Sequence, residues 1–191
     1  MQQPNSLFAS LGLMPSLLTR LEALNYVQPT PVQTQVIPAA LAGKDVLAGA
    51  NTGSGKTAAF ALPLLQRLAM DKAQQAGVKG KGNLVHTLIL VPTRELAQQV
   101  ASACESYGQT LQPRIKVTAV FGGVSANTQM LALRGGSDIV VATPGRLLDL
   151  ISSNALKLDQ VKSLVLDEAD RLLSLGFAEE LIALLDLLPK Q

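Results

Sequence analysis

The sequence predicts an α/β fold: a parallel sheet with helices on both faces. Short runs rich in Val, Leu and Ile alternate with helical patterns along the chain, which is typical of βαβ units. These runs lack strict polar alternation, as expected for strands that are covered on both faces. Of the 191 residues, 48% are hydrophobic but only 3% are aromatic. We therefore expect a core of aliphatic side chains.

The aliphatic runs place candidate strands at 45–50, 87–91, 116–121, 138–142 and 163–166. Helical patterns cover 15–24, 31–41, 56–69, 94–108, 126–133, 145–152, 169–173 and 178–187. The stretch 71–83 is polar and rich in Gly and Lys, so we expect a surface loop there. No repeat or interdomain linker is recognisable. We predict one domain, with helices in 1–43 and the sheet in 44–191.

The charge and the cysteine content exclude several classes of protein. The net charge of +2 is too small for a protein that holds nucleic acid mainly by bulk electrostatic attraction. Cys104 is the only cysteine, so neither an internal disulfide nor a cysteine metal cluster is possible, and we expect it to pack in the interior. The N-terminus is unlike a signal peptide, and no apolar run reaches membrane-spanning length. We expect a cytoplasmic monomer without membrane association.

A glycine-rich loop follows the first candidate strand and opens a helix. It reads Ala-Asn-Thr-Gly-Ser-Gly-Lys-Thr from Ala50 to Thr57. Gly53 and Gly55 allow the backbone to curl so that successive N–H groups form an anion-binding nest. The helix N-terminus adds unpaired N–H groups and its positive dipole end. Lys56 supplies a positive charge for the β- and γ-phosphates of a nucleotide, and the Thr57 hydroxyl is a candidate Mg²⁺ ligand.

An alternative interpretation of this loop is a flexible Gly-Ser-Gly linker. The general phosphate-loop pattern also has Gly where this chain has Ala50. The Lys-Thr pair at the right offset, in a strand–loop–helix context, favours phosphate binding. The candidate nucleotide-binding residues of the loop are Thr52, Gly53, Ser54, Gly55, Lys56 and Thr57.

The last candidate strand runs directly into Asp-Glu-Ala-Asp, from Asp167 to Asp170. Asp167 is a candidate Mg²⁺ ligand, partly through water, because Mg²⁺ keeps much of its hydration shell. Glu168 lies where it can accept a proton from an attacking water. The alternative is an acidic helix start, since carboxylates suit that position. The phosphate loop earlier in the chain favours a second half of an ATPase site, with Lys56, Asp167 and Glu168 as catalytic residues.

With these motifs the chain resembles the DEAD-box ATP-dependent RNA helicases, which take their name from the tetrapeptide at 167–170. The resemblance extends from Phe8 to the C-terminus. It implies the N-terminal lobe of such a helicase, with a RecA-like, phosphate-loop NTPase fold. It also implies ATP and Mg²⁺ as cofactors and RNA as the macromolecular partner.

The segment 26–33, Tyr-Val-Gln-Pro-Thr-Pro-Val-Gln, is similar to the family's adenine-reading motif. Gln33 can both donate and accept, which matches the N6 and N7 edge of adenine. Tyr26 offers a ring on which the base can stack, and Phe8 takes the place of the aromatic residue that supports the motif. The family usually has Gly where this chain has Asn25, a residue that tolerates positive φ. Outside this frame, an ordinary helix entry would explain the segment.

Three further segments each follow a candidate strand, and in the family they grip the RNA sugar–phosphate backbone. Helix N-termini, Gly N–H groups and the Arg146 and Thr143 side chains all suit phosphate oxygens. None of the segments carries a group that reads bases, which implies sequence-independent binding. Alternatively, Arg94 forms a helix-start ion pair with Glu95, and 143–146 is an N-capped helix start. The RNA-binding candidates are Pro92, Thr93, Arg94, Gly122, Gly123, Thr143, Pro144, Gly145 and Arg146.

The resemblance also implies parts that this sequence lacks. In the family, a Ser-Ala-Thr strand follows the final helix, lies between the phosphate-loop strand and the Asp-Glu strand, and partners the position of Asp170. A second lobe with arginine fingers completes the site. We therefore expect a piece of a longer chain that binds nucleotide but hydrolyses it very slowly. Two rival functions are a non-catalytic ATP-gated RNA clamp and a small-molecule phosphotransferase; the latter leaves the backbone-binding segments unexplained.

Overall fold

The computed structural model describes residues 6–51, 53–74 and 83–190. These residues group into two compact units. The phosphate-loop unit comprises the described residues up to 74 together with 103–115. The sheet unit comprises 83–102 and 116–190. Thr52 lies outside the described residues.

The phosphate-loop unit is helical. It contains α1 (Ser6–Ala9), α2 (Pro15–Ala23), α3 (Pro31–Leu41), α4 (Lys56–Gln74) and a short 3₁₀ helix, Gly108–Thr110. Helices α3 and α4 pack against each other. Gln66 of α4 joins the first two helices to this pair, because its side chain accepts from the Met14 N–H (2.7 Å) and donates to the Gly12 carbonyl (3.0 Å). Helix α5 (Arg94–Tyr107) has residues in both units.

The sheet unit is built on four parallel strands. They are β1 (Val85–Leu90), β2 (Val117–Val120), β3 (Ser137–Ala142) and β4 (Ser163–Leu166). The order across the sheet is β2-β3-β1-β4, so β1 and β3 are central and β4 lies at an edge. All six residues of β3 are buried, which agrees with its unbroken aliphatic run.

The helices of the sheet unit are α6 (Ala126–Leu133), α7 (Pro144–Ser152), α8 (Ala169–Ser174) and α9 (Ala178–Asp186). Their buried faces join the strands in one aliphatic cluster. It includes Leu88 and Val140 from the sheet and Leu147, Leu172 and Leu184 from the helices, each with no exposed surface. The α/β fold class with a parallel sheet flanked by helices is thereby confirmed.

The predicted first strand at 45–50 is wrong. These residues lie in no strand of the sheet, and the backbone groups of 45–49 form no hydrogen bond with another described residue. Leu47 is fully exposed, and Val46 is 43% exposed. A strand needs a neighbour for its ladder of hydrogen bonds, and the sheet formed by the described residues ends at β4. The aliphatic pattern indicated a strand but not the absence of a partner.

The other predicted elements are confirmed, several of them with shifted ends. The clearest difference concerns the predicted loop at 71–83, because α4 continues through 71–74; residues 75–82 lie outside the described ones. The helix predicted at 94–108 ends at Tyr107, and a 3₁₀ helix begins at Gly108. Helix α1 is not among the predicted helices. None of the helices in the described ranges is long and apolar enough to cross a membrane.

Candidate functional site

The four strands of the sheet unit end at the same level. The register pairs Val120 with Ala142, Ala142 with Leu90, and Leu90 with Leu166, each the last residue of its strand. Backbone bonds extend the ladder one residue further, from the Thr143 N–H to Val120 (2.9 Å) and from the Asp167 N–H to Leu90 (3.0 Å). The segments that follow these strands therefore leave the sheet along one edge, as expected for parallel strands.

Residues 92–94 lead from β1 into α5. Thr93 caps the N-terminus of this helix, since its Oγ1 accepts from the Leu96 N–H at 3.3 Å. Pro92 is buried, so it shapes the turn and offers no surface to a ligand. Arg94 is exposed, and its guanidinium carbon lies 5.1 Å from the ring centroid of Phe121. The helix-start ion pair with Glu95 is not present among the described residues.

The loop after β2 contains Gly122 and Gly123, both exposed. A Cβ at Gly122 or Gly145 would have no atom within 4 Å, so a ligand backbone can approach both glycines. Gly123 has φ +80°, a conformation that side chains rarely adopt. A hydrogen bond fixes the start of the loop, because Gln129 Nε2 donates to the Phe121 carbonyl at 2.8 Å.

Arg146 holds the same loop from α7. Its Nη1 donates to the Val124 carbonyl at 2.9 Å, and its side chain is only 15% exposed. Its Nε lies 3.8 Å from a carboxylate oxygen of Asp149. Pro144 is buried in the first turn of α7. Of the predicted RNA-binding side chains, Arg94 is thus the exposed cation, while Arg146 is largely occupied in joining the second and third segments.

The acidic end of β4 has an unusual backbone. Asp167 is 9% exposed, and one of its carboxylate oxygens accepts from the Glu168 N–H at 3.1 Å. Glu168 is in the left-handed conformation (φ 51°, ψ 50°), which is uncommon for a residue with a side chain and clusters at functional sites. Its carboxylate accepts from Arg171 Nη1 at 2.9 Å. Asp170 is exposed in the first turn of α8.

The phosphate loop lies in the other unit. Gly53 and Gly55 have φ of +83° and +89°, the positive values that the nest geometry requires. The Ser54 N–H donates to the Asn51 carbonyl at 3.2 Å. Lys56 begins α4, and its ammonium donates to the carbonyl of Ala50, so the lysine side chain folds back over the loop.

The adenine motif contacts the phosphate loop directly. Thr30 and Gln33 form a capping box at the start of α3, in which Gln33 Oε1 accepts from the Thr30 N–H at 3.0 Å. Gln33 Nε2 donates to the Gly55 carbonyl at 3.2 Å, and the residue is only 1% exposed. Both polar ends of this side chain are therefore engaged with the protein, and reading of adenine would require them to rearrange. The adenine role of Gln33 stays a prediction.

Tyr26 belongs to an aromatic cluster with Phe8 and Tyr107. Its ring meets Phe8 edge to face (centroids 6.3 Å apart) and Tyr107 likewise (5.9 Å), and the two tyrosine hydroxyls share a hydrogen bond of 2.8 Å. Burial, followed by this hydrogen bond, raises the pKa of Tyr107 well above its usual value. Phe8 contacts Tyr26, whereas its supporting role in the adenine motif and base stacking on Tyr26 stay predictions.

Several residues of these sites were missed by the sequence reasoning. Phe121 and Arg171 each touch a predicted residue, and Tyr107 and Gln129 support one. Arg171 carried a usable signal, since it lies three residues after Glu168 on a helix. Phe121 and Tyr107 carried none, because their contacts with Arg94 and Tyr26 join segments that are distant in the sequence. Gln129 carried none either, because it binds a backbone carbonyl eight residues earlier.

The residues fit a Mg-nucleotide on two grounds. The space in front of Gly53 is open, because a Cβ there would have no atom within 4 Å, and the buried Ser54 Oγ has no hydrogen-bond partner among the described residues. The Thr57 hydroxyl and the Asp167 carboxylate are oxygen donors, which Mg²⁺ prefers. No group of three or more His, Cys, Asp or Glu residues in the described ranges is arranged to hold a metal.

Comparison with known proteins bears on both units. The family description "DEAD/DEAH box helicase" matches residues 30–191. An ATP-dependent rRNA helicase of Aspergillus terreus is 49% identical over 185 residues, 96% of this chain and 39% of that protein. The DEAD-box ATP-dependent RNA helicase CshA of Streptococcus pneumoniae is 43% identical over 96% of this chain and 33% of its own length. The ATP-dependent RNA helicase DeaD of Escherichia coli is 45% identical over 96% and 27%.

The chain therefore spans less than half the length of these curated relatives. The match nevertheless includes the adenine motif, the phosphate loop, the three segments at the sheet edge and the acidic end of β4. With that coverage and this identity, the chain belongs to the DEAD/DEAH box helicase family.

Proposed function

We propose that this chain binds Mg-ATP and the sugar–phosphate backbone of RNA, and that in a longer protein it couples ATP hydrolysis to the unwinding of short RNA duplexes. Its relatives carry the name ATP-dependent RNA helicase. The observation that carries the proposal is the common level at which β1, β2, β3 and β4 end. The acidic end of β4 and the three segments proposed to bind the RNA backbone follow the strands at this level.

In the nucleotide site, the residues of the loop bind and orient the triphosphate. The N–H groups around Gly53 and Gly55 face a phosphate, and Lys56 moves from the Ala50 carbonyl to the β- and γ-oxygens. Thr57 and Asp167 are the residues that would hold Mg²⁺, and the ion would supply positive charge to the phosphoryl group. Glu168 accepts the proton of the attacking water as a carboxylate.

In the RNA site, binding depends on individual hydrogen-bond donors and not on a large net positive charge. A net charge of +2 gives little long-range attraction, so binding rests on the Gly122 and Gly145 amides and on the exposed Arg94 guanidinium. In this proposal these groups contact phosphate oxygens and no base edge. We therefore propose sequence-independent binding, in which targeting depends on parts of the protein outside this chain.

A second helicase lobe completes the active site in this proposal. Arginine residues that reach the phosphates from another domain are worth roughly 10³–10⁵ in rate in related systems. The chain alone therefore binds ATP but hydrolyses it slowly. Asp170, exposed at the start of α8, is available for a contact with the parts that the described residues do not include.

The test uses the complete protein that contains this chain. We expect single-stranded RNA to raise its ATPase rate, and ATP to be required for strand separation of a short duplex. An ATPase rate that RNA leaves unchanged would rule out the proposal. Retention of RNA without strand separation would favour the rival ATP-gated clamp.

Glu168→Gln, made in the same complete protein, tests whether Glu168 is the proton acceptor. We expect turnover to fall by about 10²-fold or more while ATP binding is kept, because the amide cannot take up a proton. Glu179→Gln, an exposed position in the first turn of α9, is the matched control. If Glu168→Gln abolished ATP binding as well, the assignment of the base would be wrong.

A further inference from the structure

We propose that Phe121 is a positioning residue for RNA binding, because its ring holds the guanidinium of Arg94 where that group meets a backbone phosphate. This inference rests on the proposed function. It adds a residue to which the sequence reasoning gave no role.

The pair joins two segments that are distant in sequence. The Arg94 guanidinium carbon lies 5.1 Å from the centroid of the Phe121 ring, within the range of a cation–π contact. A neighbouring glycine leaves room for the guanidinium, since a Cβ at Gly123 would lie 3.4 Å from Arg94 Nη1. The arginine side chain therefore lies over both the ring and the glycine loop.

Phe121 is a rigid support for such a contact. It is only 8% exposed, and its carbonyl accepts a 2.8 Å hydrogen bond from Gln129, a residue that is itself 6% exposed. The next residues of the loop are held as well, by the bond from Arg146 to the Val124 carbonyl. The ring thus has a fixed place relative to the sheet edge.

The guanidinium of Arg94 has N–H groups that no described residue accepts from. It forms no hydrogen bond or ion pair with any residue in the described ranges, although the guanidinium carries five N–H groups. A cation–π contact uses no N–H donor of the guanidinium as a hydrogen bond to an acceptor, so these donors remain available for bidentate binding of a phosphate. A cation without an acceptor among the described residues, at the edge where the glycine loop is open, fits a phosphodiester.

Ordering Arg94 in advance lowers the entropic cost of the phosphate contact, since a free arginine loses much rotamer freedom on binding. The effect of the ring must therefore act through Arg94 alone. This separates the proposed role from a simple contribution of Phe121 to packing.

The experiment compares variants of the full chain by fluorescence anisotropy with a labelled single-stranded oligouridylate at low salt. We expect Arg94→Ala to weaken binding about tenfold or more, and Phe121→Leu to weaken it about threefold. Phe121→Tyr keeps the ring and should bind as the parent chain does. In the Arg94→Ala background, Phe121→Leu should cause no further loss.

Arg94→Lys gives a second test that does not touch the interior. Lysine keeps the charge but lacks the planar group that stacks, so we expect weaker binding that Phe121→Leu does not weaken further. In the unaltered chain, the Arg94 Nε–Hε resonance should be shifted upfield by the ring current of Phe121. An unshifted resonance would overturn the inference without any variant.

The outcomes separate the two proposals. If Arg94→Ala leaves RNA binding unchanged, the RNA contact of Arg94 in the proposed function is wrong. If Arg94→Ala weakens binding but Phe121→Leu does not, or weakens it equally with and without Arg94, only the positioning role of Phe121 is wrong. Thermal unfolding of each variant confirms that the fold is kept.

Discussion

Arg171, one turn after Glu168 in helix α8, donates from its Nη1 to Glu168 Oε2 at 2.9 Å. The glutamate backbone is left-handed at this point, and its side chain is 24% exposed while that of Arg171 is 54% exposed. The ion pair thus selects one rotamer for a carboxylate that the proposed function uses as a base. Such a contact adds little to stability at an exposed site, but it sets a position.

We expect Arg171→Gln to lower the kcat of the complete protein about two- to fivefold and to leave the KM for ATP nearly unchanged. An exposed ion pair contributes up to about 1 kcal/mol, which corresponds to this factor. Arg171→Lys keeps the charge and should restore part of the rate. An effect confined to KM would show that Arg171 acts on nucleotide binding and not on the base.

Gly55→Ala should abolish nucleotide binding by the chain. The residue has φ +89°, which costs an alanine about 1–2 kcal/mol, and the new Cβ would overlap Gln33 Nε2. Gly43→Ala is the matched control, because Gly43 has φ +75° but no atom within 4 Å of a Cβ. Titration with a fluorescent ATP analogue measures both. Equal effects of the two substitutions would mean that backbone strain, and not the Gln33 contact, governs the loop.

Gln66→Leu should destabilise the chain by about 2–4 kcal/mol. The substitution leaves the Met14 N–H and the Gly12 carbonyl without their partner, and an unsatisfied buried group costs about 1–3 kcal/mol. Urea unfolding measures the change. Gln98→Leu, an exposed position on α5, should alter the free energy of unfolding by less than about 0.5 kcal/mol. A neutral Gln66→Leu would show that these bonds are replaced by water.

Stability should decline in alkaline solution because of Cys104. Burial raises the pKa of its thiol from 9.0 to about 12, and Glu105 adds to this shift. Since the folded pKa is the higher one, its contribution is complete below pH 9 and is lost as the pH rises toward 12. Urea unfolding between about pH 8 and 10 checks this, with Cys104→Ala as the control that should flatten the decline. A parallel decline in Cys104→Ala would assign the effect to other groups, such as Tyr107.

Local pattern was sufficient for most of the fold. Helix α3 and strand β4 match their predicted ranges at both ends, since Pro31 sets the helix start and the acidic run ends the strand. The segment 45–50 failed because strand formation depends on a neighbour, which a local aliphatic run does not reveal. The loop predicted at 71–83 was wrong at 71–74, because α4 continues through this polar stretch.

In the candidate sites, too, features that depend on local sequence were predictable and contacts between distant segments were not. The phosphate loop and the acidic strand end combine residue types whose chemistry is local, so the positive φ angles of Gly53 and Gly55 were foreseeable, whereas that of Glu168 was not. The bond from Gln33 to Gly55 and the contact of Arg94 with Phe121 join distant segments. A single sequence contains no distance between them, and so these supporting contacts emerged only from the structure.

The segment at 45–49, which forms no strand, has a practical consequence for work with this chain. Its amides and carbonyls are unsatisfied within the described residues, and Leu47 lies fully in solvent. Unpaired backbone groups beside exposed apolar side chains offer pairing sites to other chains. Concentrated preparations should therefore lose solubility through intermolecular β-pairing, and a single lysine in place of Leu47 should extend the time for which a sample stays monodisperse.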